Sequence, residues 1–292
     1  MTSANRLAGI FLVLFTGLPA TGWAGEAIDR IVRRDQINVG YRTDAPPFSF
    51  HDAAKNPVGY SIDLCRGIVE RIKLEAGKPN LRVKYIPVDA DQLSRVVSTG
   101  GVDLMCAGTS DTEERRRTMA FSPVIYLSAV KFMVLARDNL TSARQLDQRI
   151  VAVVGRTTAE KAVEAFAAQQ GIRIKVARVV SPEAALSQLS LGQANAYARD
   201  EVLLVNQRAL HPRPADLTVL PEPASIEKIA IALPKGDPLL QKAVDQGLAL
   251  QVRGGQAMAA YEQWFVKPHA GAKAGLNLPF TPALKAEFDK LR

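Results

Sequence analysis

Three short segments of the chain carry side chains suited to holding a small ion. In Gly108-Thr109-Ser110-Asp111-Thr112-Glu113-Glu114-Arg115, small residues follow the apolar run Val102–Ala107 and lead into a short helix. Small residues at a strand end let a bound molecule approach the backbone. Arg115, one turn into that helix, can present its guanidinium as a two-pronged fork to a carboxylate. Taken alone, it reads equally well as a surface arginine in a charge-rich turn. In Val154-Gly155-Arg156-Thr157-Thr158-Ala159-Glu160 a strand runs into a helix whose start has the T-x-x-E form of a capping box. Free N–H groups and the positive dipole end at such a start favour an anion, although an ordinary capped helix has the same pattern. In Ala196-Tyr197-Ala198-Arg199-Asp200, before Glu201-Val202-Leu203, a carboxylate ends an apolar strand. Asp200 can take an ammonium group there, or cap the next helix.

The combination says more than its parts. Two anion donors and one carboxylate, each at a strand-to-helix junction, match the two charges of an α-amino acid. In open α/β sheets such junctions line the ligand crevice. Motifs for bond-making chemistry are missing: the chain has no G-x-S-x-G elbow, no P-loop, no G-x-G-x-x-G and no H-E-x-x-H. His51–Asp52 has the makings of a catalytic base pair, but a loop histidine beside an acid is more commonly solvated surface. With two cysteines and three scattered histidines, His51, His211 and His269, a metal site built on His and Cys is not expected, and no cofactor is implied. The formal net charge is +8. It does not read as nucleic-acid binding: Arg115–Arg117 follow Glu113 and Glu114, Arg33–Arg34 stand beside Asp35, and aromatics are only 6% of the chain, too few to interleave with basic runs.

The elements that must position these residues alternate. Strand-like runs at Ile37–Tyr41, Leu81–Val88, Val102–Cys106, Val130–Ala136, Arg149–Val154, Ile174–Val180 and Ile229–Leu233 are separated by helix-period stretches at 59–75, 158–170, 181–191 and 237–254. In the first helix Ile62, Cys65, Ile68, Val69 and Ile72 share a face, Ser61 stands where a cap is expected and Asp63 suits the first turn. This alternation predicts an α/β fold with largely parallel sheets. Ahead of it, Arg6 and the apolar run Leu7–Leu18, followed by Gly22 and Ala24, read as a signal peptide over 1–24, cut before Gly25. The run is shorter than the roughly 20 residues a membrane span needs. No lipobox cysteine follows, so a soluble exported protein is expected. No Gly/Ser or Pro linker divides the rest; Val124–Lys131 and Pro221–Ile229 are the candidate crossings between two halves.

At these residues the chain resembles the periplasmic amino-acid-binding proteins of ABC importers, bacterial solute-binding family 3. Gly59-Tyr60-Ser61-Ile62-Asp63-Leu64 is similar to the family's G-aromatic-x-x-D-apolar signature, and Ser110, Glu114 and Arg115 fall on its T-x-x-x-E-R element. Phe121-Ser122, Gly155-x-Thr157-Thr158, Asp200, Pro234-Lys235-Gly236 and Trp264-Phe265 fit further elements. Val39-Gly40-Tyr41-Arg42 and Leu276-Asn277-Leu278 with Phe280 look closest to the glutamate/aspartate-binding group. The resemblance implies a two-lobed, type II periplasmic-binding-protein fold, with two mixed, largely parallel sheets joined by two hinge crossings. Residues 25–125 and 231–292 would form one lobe and 126–230 the other. It implies that Arg115 holds the α-carboxylate, helped by Ser110 and Thr157 or Thr158, that Asp200 and the backbone at Gly108 hold the ammonium, and that Arg42 faces the ligand's side chain. The acidic-ligand binders carry basic residues where this chain has Leu93 and Pro182, so the ligand reads as glutamate or aspartate or an amide or neutral analogue. A monomer is implied, delivering to an ABC permease with a separate ATPase. Two other readings exist: a periplasmic cyclohexadienyl (prephenate/arogenate) dehydratase-like enzyme on the same fold, for which no general acid or base is evident, and a receptor's sensor module, for which a second span is missing. In an exported protein Cys65, on the buried helix face, and Cys106, ending a buried strand, are expected to form a disulfide; two buried thiols are the alternative.

Overall fold

The computed structural model describes residues 26–268 and 275–292. The expected signal peptide and His269 lie outside the described residues. From its start, α1 (Glu26–Arg34) leads into β1 (Gln36–Tyr41). A small antiparallel sheet of β2 (Asp44–Ala45), β3 (Ser49–His51) and β4 (Pro57–Val58) follows. Then come α2 (Tyr60–Glu75), β5 (Arg82–Pro87), α3 (Leu93–Ser98), β6 (Leu104–Ser110), α4 (Glu113–Arg116) and β7 (Met119–Phe121). The long strand β8 (Tyr126–Leu135) precedes β9 (Ile150–Val154), α5 (Thr158–Gln170), β10 (Lys175–Val179), α6 (Pro182–Ser190), β11 (Ala196–Asp200), α7 (Glu201–Leu210) and β12 (Leu217–Val219). A second long strand, β13 (Ser225–Pro234), returns to α8 (Pro238–Arg253), α9 (Gln256–Tyr261) and α10 (Pro282–Asp289).

The strands join in the order β10-β9-β11-β8-β13-β6-β1-β5, with β12 beside β8 and β7 beside β13. Both flanks are parallel: β1 runs with β5 and β6, and β9 with β10 and β11. The two flanks meet at the crossing strands, which pair antiparallel from Ser225 opposite Val130 to Ile229 opposite Tyr126. The crossings expected from the sequence are thus ladder partners, and the sheet halves are continuous through them.

Burial follows the period of each element. On α2 the buried residues include Ile62, Cys65, Ile68, Val69 and Ile72, the face read from the sequence. Against it packs α8, whose Gly247 lies so close that an added Cβ would sit 2.9 Å from Cα of Ile68. Ser61 does not cap the helix. Gly59 occupies that position, and Ser61, already inside the first turn, donates its Oγ to the carbonyl of Ala107 at 3.1 Å. Asp63 does lie in the first turn, where it accepts from Nε1 of Trp264 at 2.6 Å. Cys65 and Cys106 form the expected disulfide, with Cα atoms 6.2 Å apart, so α2 is tied to β6. The other flank has its own apolar clusters, built around Phe132, Val151, Val153 and Phe166 on one face and Met133, Ala152, Leu189 and Tyr197 on the opposite one.

One strand runs further than its sequence suggests. The apolar run predicts Val102–Cys106, but β6 extends to Ser110 because Thr109 and Ser110 pair with Ala230 and Ile229 of β13. Gly108 and Ser110 therefore stand on ladder backbone and not in a loop.

Candidate functional site

The turns after β6, β9 and β11 converge at one edge of the sheet, and their residues surround a single cavity of about 80 Å³. Its lining contains all seven residues singled out from the sequence: Arg42, Gly108, Ser110, Arg115, Thr157, Thr158 and Asp200. Gly108 is needed there for space, since a Cβ would meet the ring of Phe48 at 2.6 Å.

Arg115 sits in α4, whose N-cap Thr112 accepts from the Arg115 N–H at 3.2 Å. Its Nη1 donates to the carbonyl of Ser110 at 2.9 Å, which aims the guanidinium along the end of β6. Burial lowers its pKa, and the charges of Glu227, Asp200 and Glu114 oppose that fall. It stays a cation with donors to spare.

The start of α5 differs from the pattern its sequence suggested. Thr157 is the N-cap residue, but its side chain makes no cap bond; its Oγ1 donates instead to the carbonyl of Val154 at 2.7 Å. Glu160 reaches back past the cap, accepting from the N–H of Arg156 at 2.8 Å and from the guanidinium of Arg178. The T-x-x-E capping box does not form, because each member has a nearer partner. The helix start therefore keeps first-turn N–H groups without a side-chain acceptor, facing the cavity, where an anion fits.

Asp200 ends β11 and stands at the N-cap of α7, again without a side-chain cap bond. Its Oδ1 is buried with no hydrogen-bond partner among the described residues. Burial, and then the charge of Glu227, push its pKa up to about 6, against the pull of Ser128 and Arg199. A further cation beside a carboxyl group held this way favours its charged form.

Two features escaped the sequence, one behind the cavity wall and one in it. Glu227, buried on β13, accepts from the hydroxyls of Ser110 and of Thr158, the latter at 2.9 Å, and from Ser225 at 3.3 Å. A hydroxyl has one proton. With those protons given to Glu227, Ser110 and Thr158 offer lone pairs to anything else in the cavity. Glu227 was hidden because the sequence neighbours invert the usual pattern: Ile226 is 70% exposed while the acid beside it is buried. Arg199, one residue before Asp200, lines the cavity, and its Nη2 donates to the carbonyl of Asp44 at 3.0 Å. Arg42 grips the Asp44 carboxylate with Nε at 2.8 Å and Nη2 at 2.6 Å. Burial raises the pKa of Asp44, but Arg42 and then Arg199 outweigh it and hold the group below the usual range.

His51 is not at the cavity; its Nε2 pairs with the hydroxyl of Tyr41 at 2.5 Å, and Asp52 bonds Asn56. Among the described residues no group of three or more His, Cys, Asp or Glu is placed to hold a metal ion, and no helix is long and apolar enough to cross a membrane.

The chain is similar to known proteins. Residues 37–267 match the family described as bacterial extracellular solute-binding proteins, family 3. The glutamate/aspartate import solute-binding protein of Escherichia coli is 28% identical over 265 residues, spanning 91% of this chain and 88% of the relative. The L-glutamate/L-aspartate-binding protein of Pseudomonas aeruginosa is 28% identical over 259 residues, spanning 88% and 86%. Among solved structures, a mutant of ArgBP from T. maritima superposes with a TM-score of 0.71 at 28% identity, covering 82% of this chain and 98% of that one.

Proposed function

The chain belongs to the bacterial extracellular solute-binding proteins of family 3, and from this we propose that it captures a free L-amino acid in the cavity and delivers it to the permease of an ABC importer. The family and the named relatives are solute-binding proteins, not enzymes, and they support capture over a dehydratase. The observation that carries the reading is the buried, unpartnered Oδ1 of Asp200 in the same cavity as Arg115 and the open start of α5. Arg115 and the α5 N–H groups hold the α-carboxylate. Asp200 holds the ammonium, assisted by the backbone at Gly108 and the lone pairs of Ser110 and Thr158.

Residues 25–125 with 231–292 act as one lobe and 126–230 as the other, hinged at the β8 and β13 crossings. Ligand contacts from both lobes stabilise closure. The protein works in the periplasm as a monomer after removal of residues 1–24, and its closed form docks on a permease driven by a separate ATPase.

The test is mass spectrometry of the amino acid that co-purifies, followed by calorimetry on a panel. Micromolar or tighter binding of at least one amino acid is expected. Arg115→Ala is expected to weaken every ligand by about a hundredfold or more, since it removes the shared charge-assisted clamp. No binding tighter than about millimolar, or an Arg115→Ala variant with unchanged affinities, would count decisively against the reading.

A further inference from the structure

We propose that Arg199 is the specificity-determining residue of this site, and that with Arg42 it selects an amino acid whose side chain ends in a carboxylate. The proposal rests on the capture reading and deepens it. With the α-groups of the ligand assigned to Arg115, α5 and Asp200, the lining left for the side chain includes Arg42, Ala45, Ala90, Leu93, Pro182 and Arg199. Four of these are apolar and two are cations. The anion beside them, Asp44, is held by both oxygens on Arg42, while Arg199 donates to the backbone carbonyl of Asp44 and stands beside the Tyr197 hydroxyl and the Asp200 carboxyl. Two guanidiniums therefore stand beside Asp44 and, with Asp200 given to the ligand's ammonium, only the Asp44 carboxylate is left to be shared between them. Arg199 has donors beyond the one it gives to Asp44. An acidic side chain supplies the missing charge and accepts from those donors. A neutral amide accepts a hydrogen bond but leaves the charge unmatched, and a basic side chain adds a second unmatched cation where water is scarce.

Leu93 and Pro182 bear no charge, so the cations at this end of the cavity are Arg42, which follows β1, and Arg199 on β11. Because Arg199 also reaches Asp44 from the opposite flank of the sheet, the same guanidinium reads the side chain and bridges the cleft. These two roles predict different mutants.

Calorimetry with L-glutamate, L-aspartate, L-glutamine and L-arginine tests this on the wild-type protein and on Arg199→Met and Arg199→Lys, with the melting temperature of each ligand-free variant as a check on folding. The wild type is expected to bind glutamate or aspartate at least tenfold tighter than glutamine and to bind arginine most weakly. Arg199→Met is expected to lose tenfold or more for the acidic ligands while glutamine changes by less than about threefold. Arg199→Lys, which keeps the charge but not the fork, should retain part of the acidic preference. Equal losses for glutamate and glutamine in Arg199→Met would overturn the proposal and leave Arg199 as a bridge only. A wild type that prefers glutamine or arginine also overturns it and leaves the capture reading standing. Binding of no amino acid at all sinks both.

Discussion

The buried carboxyl group of Asp200 makes the chemistry of the cavity depend on pH, and the sign follows from its surroundings. Asp200 is pushed up to about 6 in the ligand-free protein, first by burial and then by Glu227, with Ser128 and Arg199 opposing. An unfolded aspartate titrates near 4. The folded value is the higher one, so this group stabilises the ligand-free protein at low pH, and the contribution is lost as pH rises from about 4 through about 6. An ammonium beside Asp200 favours the charged form, so binding below pH 6 must release its proton. Affinity for any amino acid is expected to fall by up to about tenfold per pH unit below 6, read by calorimetry in buffers of different ionisation enthalpy. In Glu227→Gln the charge that raises Asp200 is gone, and the midpoint of this fall should move to lower pH. A midpoint that stays put would separate the two carboxyls. At this scale Asp200 was legible because it is a charged residue at the end of an apolar run, and Arg115 because small residues lead from such a run into its short helix. Glu227 and Arg199 were not. A carboxylate inside a strand and an arginine one residue from the marked aspartate are ordinary in sequence, and only the ladder pairing brings the hydroxyls of Ser110 and Thr158 to one and Asp44 to the other.

Elements were read well where side-chain period decides their fate and poorly where local hydrogen bonds compete. The buried stripe on α2 and the β-branched run of β9 follow from hydrophobic spacing. The caps do not. Ser61 prefers the carbonyl of Ala107, and Thr157 that of Val154, and neither acceptor is identifiable before the chain is folded. The extension of β6 to Ser110 has the same cause, a partner strand more than a hundred residues away in sequence. The link between α2 and β6 carries its own prediction. The disulfide closes a loop with a sequence separation of 41, which in the chain-entropy account stabilises by about 4 kcal/mol. Replacing both Cys65 and Cys106 by serine should lower the melting temperature by roughly 5–10 °C and, since neither lines the cavity, leave amino-acid affinity within about threefold. A melting point changed by less than about 1 °C would mean that helix–strand packing alone fixes this pair.

For the molecule as a whole, the division into two flanks carried no compositional mark. The crossings are not Gly- or Pro-rich linkers but strands, one apolar and one carrying Glu227 and Lys228 at its start, because they must serve as the central ladder pair of the sheet. What the sequence concealed further is the set of contacts reaching across the cleft. Besides the bond from Arg199 to Asp44, Lys161 of α5 pairs with Glu114 of α4, and Arg156 lies 3.6 Å from Asp91. Both pairs are at the rim, with every partner about half exposed or more. Exposed pairs contribute only about 0–1 kcal/mol each and are screened by salt, so under the proposed capture reading they steady closure without determining it. The double variant Arg156→Ala, Lys161→Ala is therefore expected to weaken amino-acid binding by less than about tenfold in dilute buffer and by less than about twofold at 0.5 M salt, where the screening length shrinks to roughly 4 Å. Titrations of the same ligand at the two ionic strengths read this directly. A loss that persists in high salt, or one as large as that of Arg115→Ala, would place the energy of closure at the rim and not in the ligand's two charged ends. The expectation is the reverse, because the α-carboxylate and ammonium meet their partners where water is excluded, and a charge-assisted bond made there is worth several rim contacts.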